Sequence, residues 1–74
     1  MAAETEVRAL KQRVSAELLR TPGVNGVGVE SDGKGGFVLA VHVDTADHAI
    51  TRDPPASLRG QPVRFVASGT FRKI

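Results

Sequence analysis

Residues 24–30, Val24-Asn25-Gly26-Val27-Gly28-Val29-Glu30, form an apolar run interrupted by glycine, around which the rest of the chain is arranged. Strand side chains alternate between two faces, so Val27 and Val29 are expected to share one face with Asn25. Two glycines on one strand face indicate a bulge or a close approach of another group to the backbone. We therefore predict a strand over residues 24–31 with one apolar and one nearly bare face. The residues expected on the bare face are Val24, Gly26, Gly28 and Glu30.

A helix is predicted before this strand, over about residues 4–20. Apolar side chains recur there at spacings of three and four, which is typical of one buried helical stripe. Thr21-Pro22-Gly23 is expected to end the helix, because proline disfavours helical geometry in the residue before it. The stripe consists of Val7, Leu10, Val14 and Leu18, and the residues expected to widen it are Ala9, Ala16 and Leu19.

A second strand is predicted over about residues 36–44, joined to the first by the turn-forming segment Ser31-Asp32-Gly33-Lys34-Gly35-Gly36. Asp-Gly and Gly-Gly supply the positive φ angles that a hairpin needs. Its expected core face consists of Phe37, Leu39, Val41 and Val43. The opposite face consists of Val38, Ala40, His42 and Asp44.

The remaining chain predicts a crossover and a third strand. Residues 45–61 show no sustained period, and we expect a loop with a short helical turn at 46–50, held to the core by Ile50 and Leu58. A strand is predicted over about residues 62–68, and a short fourth strand over 70–73 would continue it. This order predicts a single α+β domain over residues 1–74: a two-layer sandwich with one N-terminal helix on a three- to four-stranded, mainly antiparallel sheet.

Length and composition limit the functional classes. A chain of 74 residues buries only about 60% of its unfolded surface, and this one has no cysteine for a disulfide or a thiolate metal site. Partner surface is therefore the expected source of additional stability. The acidic start of the chain does not resemble a signal peptide, and no apolar run is long enough for a membrane span. These features predict a cytoplasmic protein.

Positive charge is concentrated in the second part of the chain. Residues 45–74 hold five basic and two acidic side chains, while the whole chain has a net charge of +2. Aromatic residues for base stacking are few, with three Phe, no Tyr and no Trp. A solvated basic surface is the simpler interpretation, and nucleic-acid or anion binding is the alternative. The residues of that alternative site are Arg52, Arg59, Arg64, Arg72 and Lys73.

No catalytic, metal or cofactor site is predicted. The serines, Ser15, Ser31, Ser57 and Ser68, lie in no nucleophile-elbow pattern. His42 and His48, with nearby aspartates, match no compact metal-ligand spacing. We expect a protein that is not an enzyme and needs no cofactor.

The bare face of the sheet is the stronger functional signal. The one long helix is used by the apolar face, and an uncovered sheet face of small and apolar residues often marks an interaction surface. We therefore predict pairing with a second copy or another protein, through this face or an edge strand, with an ordinary solvated face as the alternative. The expected interaction face is Gly26, Gly28, Val38, Ala40, His42, Arg64 and Val66.

The motif order also resembles a known family. A helix, a Gly26-Val27-Gly28-Val29 strand, a Val38–Val43 strand and a Leu58-Arg59-Gly60-Gln61-Pro62-Val63-Arg64 segment resemble the small N-terminal accessory domain of bacterial trypsin-like serine protease proteins. The similarity covers about residues 10–72. The protease triad of that family belongs to a downstream domain, so the resemblance implies no catalytic residue here. It implies a non-catalytic accessory or regulatory module.

Overall fold

The computed structural model describes residues 2–45 and 49–67, and it confirms the predicted α+β architecture. Ser68 and the considered strand at 70–73 lie outside the described residues, as does the 46–48 part of the predicted helical turn. No helix in the described ranges is long and apolar enough to cross a membrane. The elements are helix α1 (Glu4–Leu19), strand β1 (Val24–Ser31), strand β2 (Phe37–Val43), the short helix α2 (Ala49–Arg52), a 3-10 turn (Ala56–Leu58) and strand β3 (Val63–Ala67).

The described strands form one mixed sheet in the order β1-β2-β3. β1 and β2 form the predicted antiparallel hairpin, whereas β3 runs parallel to β2. A parallel neighbour requires a long crossover, and residues 44–62 provide it. In the part of the sheet that the structure describes, β2 is therefore central.

The core lies between α1 and one face of the sheet. The helix packs mainly on β1 and β2, and its buried residues are the four predicted ones, Val7, Leu10, Val14 and Leu18. The predicted widening of this stripe is wrong, because Ala9 and Ala16 are exposed and Leu19 is 53% exposed. Ala9 and Ala16 lie about half a turn away from the stripe at 3.6 residues per turn, so they face away from the sheet.

Strand β1 contains an irregularity that changes the face of its first residue. Val24 pairs with Val43 and Gly26 pairs with His42, so an extra residue, Asn25, is accommodated between the two pairs. This bulge places Val24 in the core, where it is buried, and the expectation that it shares a face with Gly26 is wrong. Val27 and Val29 pack against the core as predicted.

The hairpin turn is stabilised by one carboxylate. Asp32 Oδ1 accepts hydrogen bonds from the backbone N–H groups of Lys34 at 2.7 Å and of Gly36 at 3.0 Å. These bonds lower the pKa of the Asp32 carboxyl, with that from Lys34 the larger cause. Gly33 and Gly35 have φ angles of 81° and 89°, which explains the glycines of this turn.

The crossover is attached to the helical layer. Ile50 and Leu58 are buried in the core, as predicted. The helical turn expected at 46–50 corresponds to α2, which begins at Ala49. Ser57 Oγ donates a hydrogen bond of 3.0 Å to Glu17 of α1. The described part of the crossover therefore packs on the same sheet face as α1 and not on the opposite face.

Candidate interaction surfaces

The residues predicted to form an interaction face lie on the side of the sheet opposite α1. Residues paired across strands point their side chains to the same face, so the register arranges them in rows. The first row is Gly26, His42 and Val66; the second is Gly28, Ala40 and Arg64; Val38 lies in a third row beside Glu30. We call this surface the open face, consisting of Gly26, Gly28, Val38, Ala40, His42, Arg64 and Val66.

The open face is separate from the hydrophobic core. No residue of the open face belongs to the core cluster, and the buried residues of the described helices all do. Ala40, at the centre of the sheet, is fully buried, whereas Val38, His42 and Val66 are half-buried and Arg64 is exposed. Two aliphatic side chains of this face, Val38 and Val66, are thus partly exposed outside the core that the described helices cover.

The two glycines of the open face leave β1 without side chains there, and we call the open space above them the hollow. A Cβ atom added to Gly26 or Gly28 would meet no atom within 4 Å. Neither glycine has a positive φ angle, so backbone geometry does not require glycine at these positions. Within the described chain, neither steric contact nor conformation explains why β1 lacks side chains here.

A carboxylate reaches over the second row of the open face. Glu30 Oε2 lies 3.4 Å from His42 Nε2, and the pair is ionic only when the imidazole is protonated. These residues belong to the third and first rows, so their side chains must extend towards each other across the Gly28–Ala40 row. The small residues of that row allow this arrangement, and it brings negative charge close to the hollow.

The residues of the alternative anion site are not brought together as one patch. Arg59 is engaged locally: its Nε donates to the Pro54 carbonyl at 3.2 Å and its guanidinium lies 3.1 Å from Asp53 Oδ1. Arg52 lies in the crossover, in α2, whereas Arg64 lies on the open face. Arg72 and Lys73 lie outside the described residues.

A second surface lies beside the edge of β1 that pairs with no described strand; the sequence predicts pairing through an edge strand but not this surface. A groove of about 410 Å³ separates α1 from this edge. We call it the edge groove, lined by Arg8, Lys11, Gln12, Ser15 and Val29. The sequence places the first three on the polar side of α1 and Val29 on the core face of β1, and only the packing of α1 on the sheet reveals that they meet.

The serines considered for catalysis form hydrogen bonds within the fold where the structure describes them. Ser15 Oγ donates to the Lys11 carbonyl, Ser57 donates to Glu17, and Ser31 Oγ accepts the N–H of Gly33. Residues 2–45 and 49–67 contain no group of three or more His, Cys, Asp or Glu side chains that could hold a metal ion. Ser68 and His48 lie outside these ranges.

No protein-family model, curated protein or solved structure matches the chain.

Proposed function

We propose that the chain is a non-catalytic protein-interaction module that associates through its open face, with a second copy of itself as the partner. The observation that carries the proposal is the sheet face that no described helix covers, with its hollow over Gly26 and Gly28. Glycine within a strand costs about 0.5–1 kcal/mol relative to alanine, and a partner that occupies the hollow offsets this cost. The resemblance to an accessory domain of protease proteins agrees with a role without catalysis.

The shape of the open face favours a second copy. One edge of the face, on β1, is hollow, and the other, on β3, carries Arg64 and Val66. A two-fold axis parallel to β2 would place β3 of each copy over β1 of the other and keep the rows in register. Arg64 would then lie opposite Gly28 of the second copy, and Val66 opposite Gly26. Large side chains would meet hollows twice in one interface.

The charges of the open face agree with this arrangement. Glu30 extends over the Gly28–Ala40 row, which is where Arg64 of the second copy would arrive. An Arg–carboxylate pair at each end of the interface would therefore form, and it would set the register of the two sheets more than it would add affinity. Both copies would contribute equally, as a two-fold interface requires.

The size of the face predicts weak association. Three strands spaced by about 4.8 Å and about 17 Å long give a projected area of about 240 Å². Stable complexes bury about 800 Å² per partner, so a dissociation constant in the high micromolar to millimolar range is expected. Association of this strength suits a module that acts when several copies are held close together.

Sedimentation equilibrium over a concentration series tests the proposal. Wild-type protein is expected to show a monomer–dimer equilibrium, and Gly28→Glu is expected to remain monomeric because its side chain would occupy the space that Arg64 of the second copy needs. Ala16→Glu, on the exposed side of α1, is the matched control because it adds the same charge away from the open face. A wild-type chain that is monomeric at millimolar concentration, or equal behaviour of all three proteins, would refute self-association.

Anion binding is the weaker alternative, because Arg59 is paired with Asp53 and the other described arginines of that site, Arg52 and Arg64, lie apart. It predicts salt-dependent oligonucleotide binding whose salt slope falls when the basic residues are replaced by alanine. Absence of any binding at low salt would exclude it.

A further inference from the structure

We infer that the free edge of β1, together with the edge groove, binds an extended acidic segment of a partner protein by strand addition. This inference extends the proposed function to a second surface with its own partner. Val27 and Val29 point their side chains away from the open face, so the two surfaces are distinct.

The first supporting observation is the direction of the β1 backbone groups. Antiparallel pairs alternate between hydrogen-bonded and non-hydrogen-bonded positions. Asp32 N–H donates to the Gly36 carbonyl at 3.0 Å, which identifies the even-numbered residues from Gly26 to Asp32 as the bonded ones. The N–H and C=O groups of Val27, Val29 and Ser31 therefore point away from β2, towards the free edge.

These outward groups have no partner in the described chain. None of the backbone hydrogen bonds outside the strand ladder uses the N–H or C=O of Val27, Val29 or Ser31. An edge of this kind is a template for another strand, and proteins commonly protect such edges with proline or with a covering segment. Here the five-residue stretch 27–31 contains no proline or lysine that would discourage pairing.

The second observation is the position of the edge groove. An incoming strand would lie about 4.8 Å from β1, with every second side chain on the side of α1. The side chains of Val27 and Val29 lie on that same side, and the groove between Val29 and α1 would receive the incoming ones. Main-chain bonds would supply affinity, and the groove would select the side chains.

The charge of the groove selects the partner. Its lining holds two cations, Arg8 and Lys11, and no carboxylate. Arg8 is paired with Glu4 at 2.6 Å, whereas Lys11 forms no ion pair with any described residue. Acidic side chains at alternate positions of the added strand complement this lining. Pairing of two β1 edges would instead bring the cations of both copies together, and like charges disfavour it.

Peptide binding tests the inference directly. A labelled, acetylated and amidated hexapeptide of alternating glutamate and valine is titrated with the protein by fluorescence anisotropy, and the corresponding lysine–valine peptide is the charge control. The acidic peptide is expected to bind and to shift the backbone N–H resonances of Val27, Val29 and Ser31. The same peptide N-methylated at alternate residues, which cannot donate to the edge, is expected not to bind.

Protein variants locate the site. Lys11→Glu is expected to weaken binding of the acidic peptide about fivefold, since it replaces an attraction by a repulsion at a half-buried position. Arg13→Glu is the matched control, with the same charge change on the other flank of α1, beside Gln61 and Pro62. Gly28→Val alters only the open face and is expected to leave peptide binding unchanged. Loss of dimerisation and loss of peptide binding are therefore separate results, and either proposal can be refuted without the other.

Several results would overturn the inference. Equal binding of the lysine–valine peptide, unimpaired binding of the N-methylated peptide, or no binding at millimolar peptide would each do so. Equal effects of Lys11→Glu and Arg13→Glu would place the peptide elsewhere. Concentration-dependent shifts of the Val27 and Val29 N–H signals without peptide would show that two copies pair edge to edge instead.

Discussion

Substitution of Gly28 by valine is expected to stabilise the isolated chain and to weaken its association. The added Cβ meets no atom within 4 Å, and Gly28 does not have a positive φ angle, so the side chain fits without strain. Removing a strand glycine contributes about 0.5–1 kcal/mol, and a β-branched residue in a strand contributes some tenths more. We expect an increase of about 1 kcal/mol in the free energy of unfolding.

Urea denaturation at low protein concentration measures this increase for the monomer. In a domain of this size, about 1 kcal/mol corresponds to a rise of about 4–8 °C in Tm. Gly33→Val is the contrasting control, because Gly33 has a φ of 81° and valine there is strained although space is available. We expect Gly33→Val to lower stability by more than about 1 kcal/mol.

Concentration dependence separates the monomer from the dimer. The Tm of the wild-type chain is expected to rise with protein concentration, because dimerisation stabilises the folded state by mass action. The Tm of Gly28→Val is expected to be higher at low concentration and nearly constant. If Gly28→Val destabilises the monomer, the glycine serves the fold and not an interface.

Three further substitutions test the core, the interface charges and the hairpin turn. Leu18→Ala is expected to lower the free energy of unfolding by about 2–5 kcal/mol because Leu18 is fully buried. Leu19→Ala, at a 53% exposed position, is expected to change it by less than about 0.5 kcal/mol. Coincident urea melts of the two variants would contradict the packing of α1. Glu30→Arg is expected to raise the dimer dissociation constant, measured by sedimentation equilibrium, about threefold. A second substitution in the same chain, Arg64→Glu, is expected to restore the wild-type value. No recovery in the double variant would show that these two charges do not interact across the interface. Because the pKa of Asp32 is lowered in the folded chain, the ionised carboxyl adds stability above its ordinary pKa of 3.8, and this stability is lost as pH falls through the lowered value. Asp32→Asn is expected to reduce the loss of stability in urea melts at acidic pH. An unchanged pH dependence in this variant would exclude the role of Asp32.

The helix and the three strands are predictable because each keeps its own period long enough to define a buried side. Val7, Leu10, Val14 and Leu18 give the helix, and the alternation from Phe37 to Val43 gives the central strand. The direction of β3 is not predictable in this way, because the side-chain pattern of a strand does not encode whether its neighbour is parallel. That direction is fixed by where the crossover packs, through Ile50 and Leu58.

The wrong face assigned to Val24 has its physical origin in a local irregularity of β1. Counting alternate residues through β1 assigns Val24 to the bare face, but the bulge at Asn25 shifts the count by one. The rows of the open face were predictable because β1 alternates regularly from Gly26 onwards and β2 and β3 pair without an irregularity. The edge groove was not, since it depends on the lateral position of α1 on the sheet, which periodicity leaves undetermined.

The central position of β2 has a consequence for folding and for amide exchange. Its even-numbered N–H groups point to β1, a hairpin neighbour close in sequence, whereas the N–H of Leu39 donates to the Pro62 carbonyl, at 2.8 Å, across the long crossover. Closing a long loop costs more entropy than closing a hairpin, so β3 is expected to join late and to detach first. Hydrogen exchange along β2 should therefore alternate residue by residue, with slow exchange at Val38 and Ala40 and faster exchange at Leu39 and Val41. A single strand would thus record two unfolding events of different free energy.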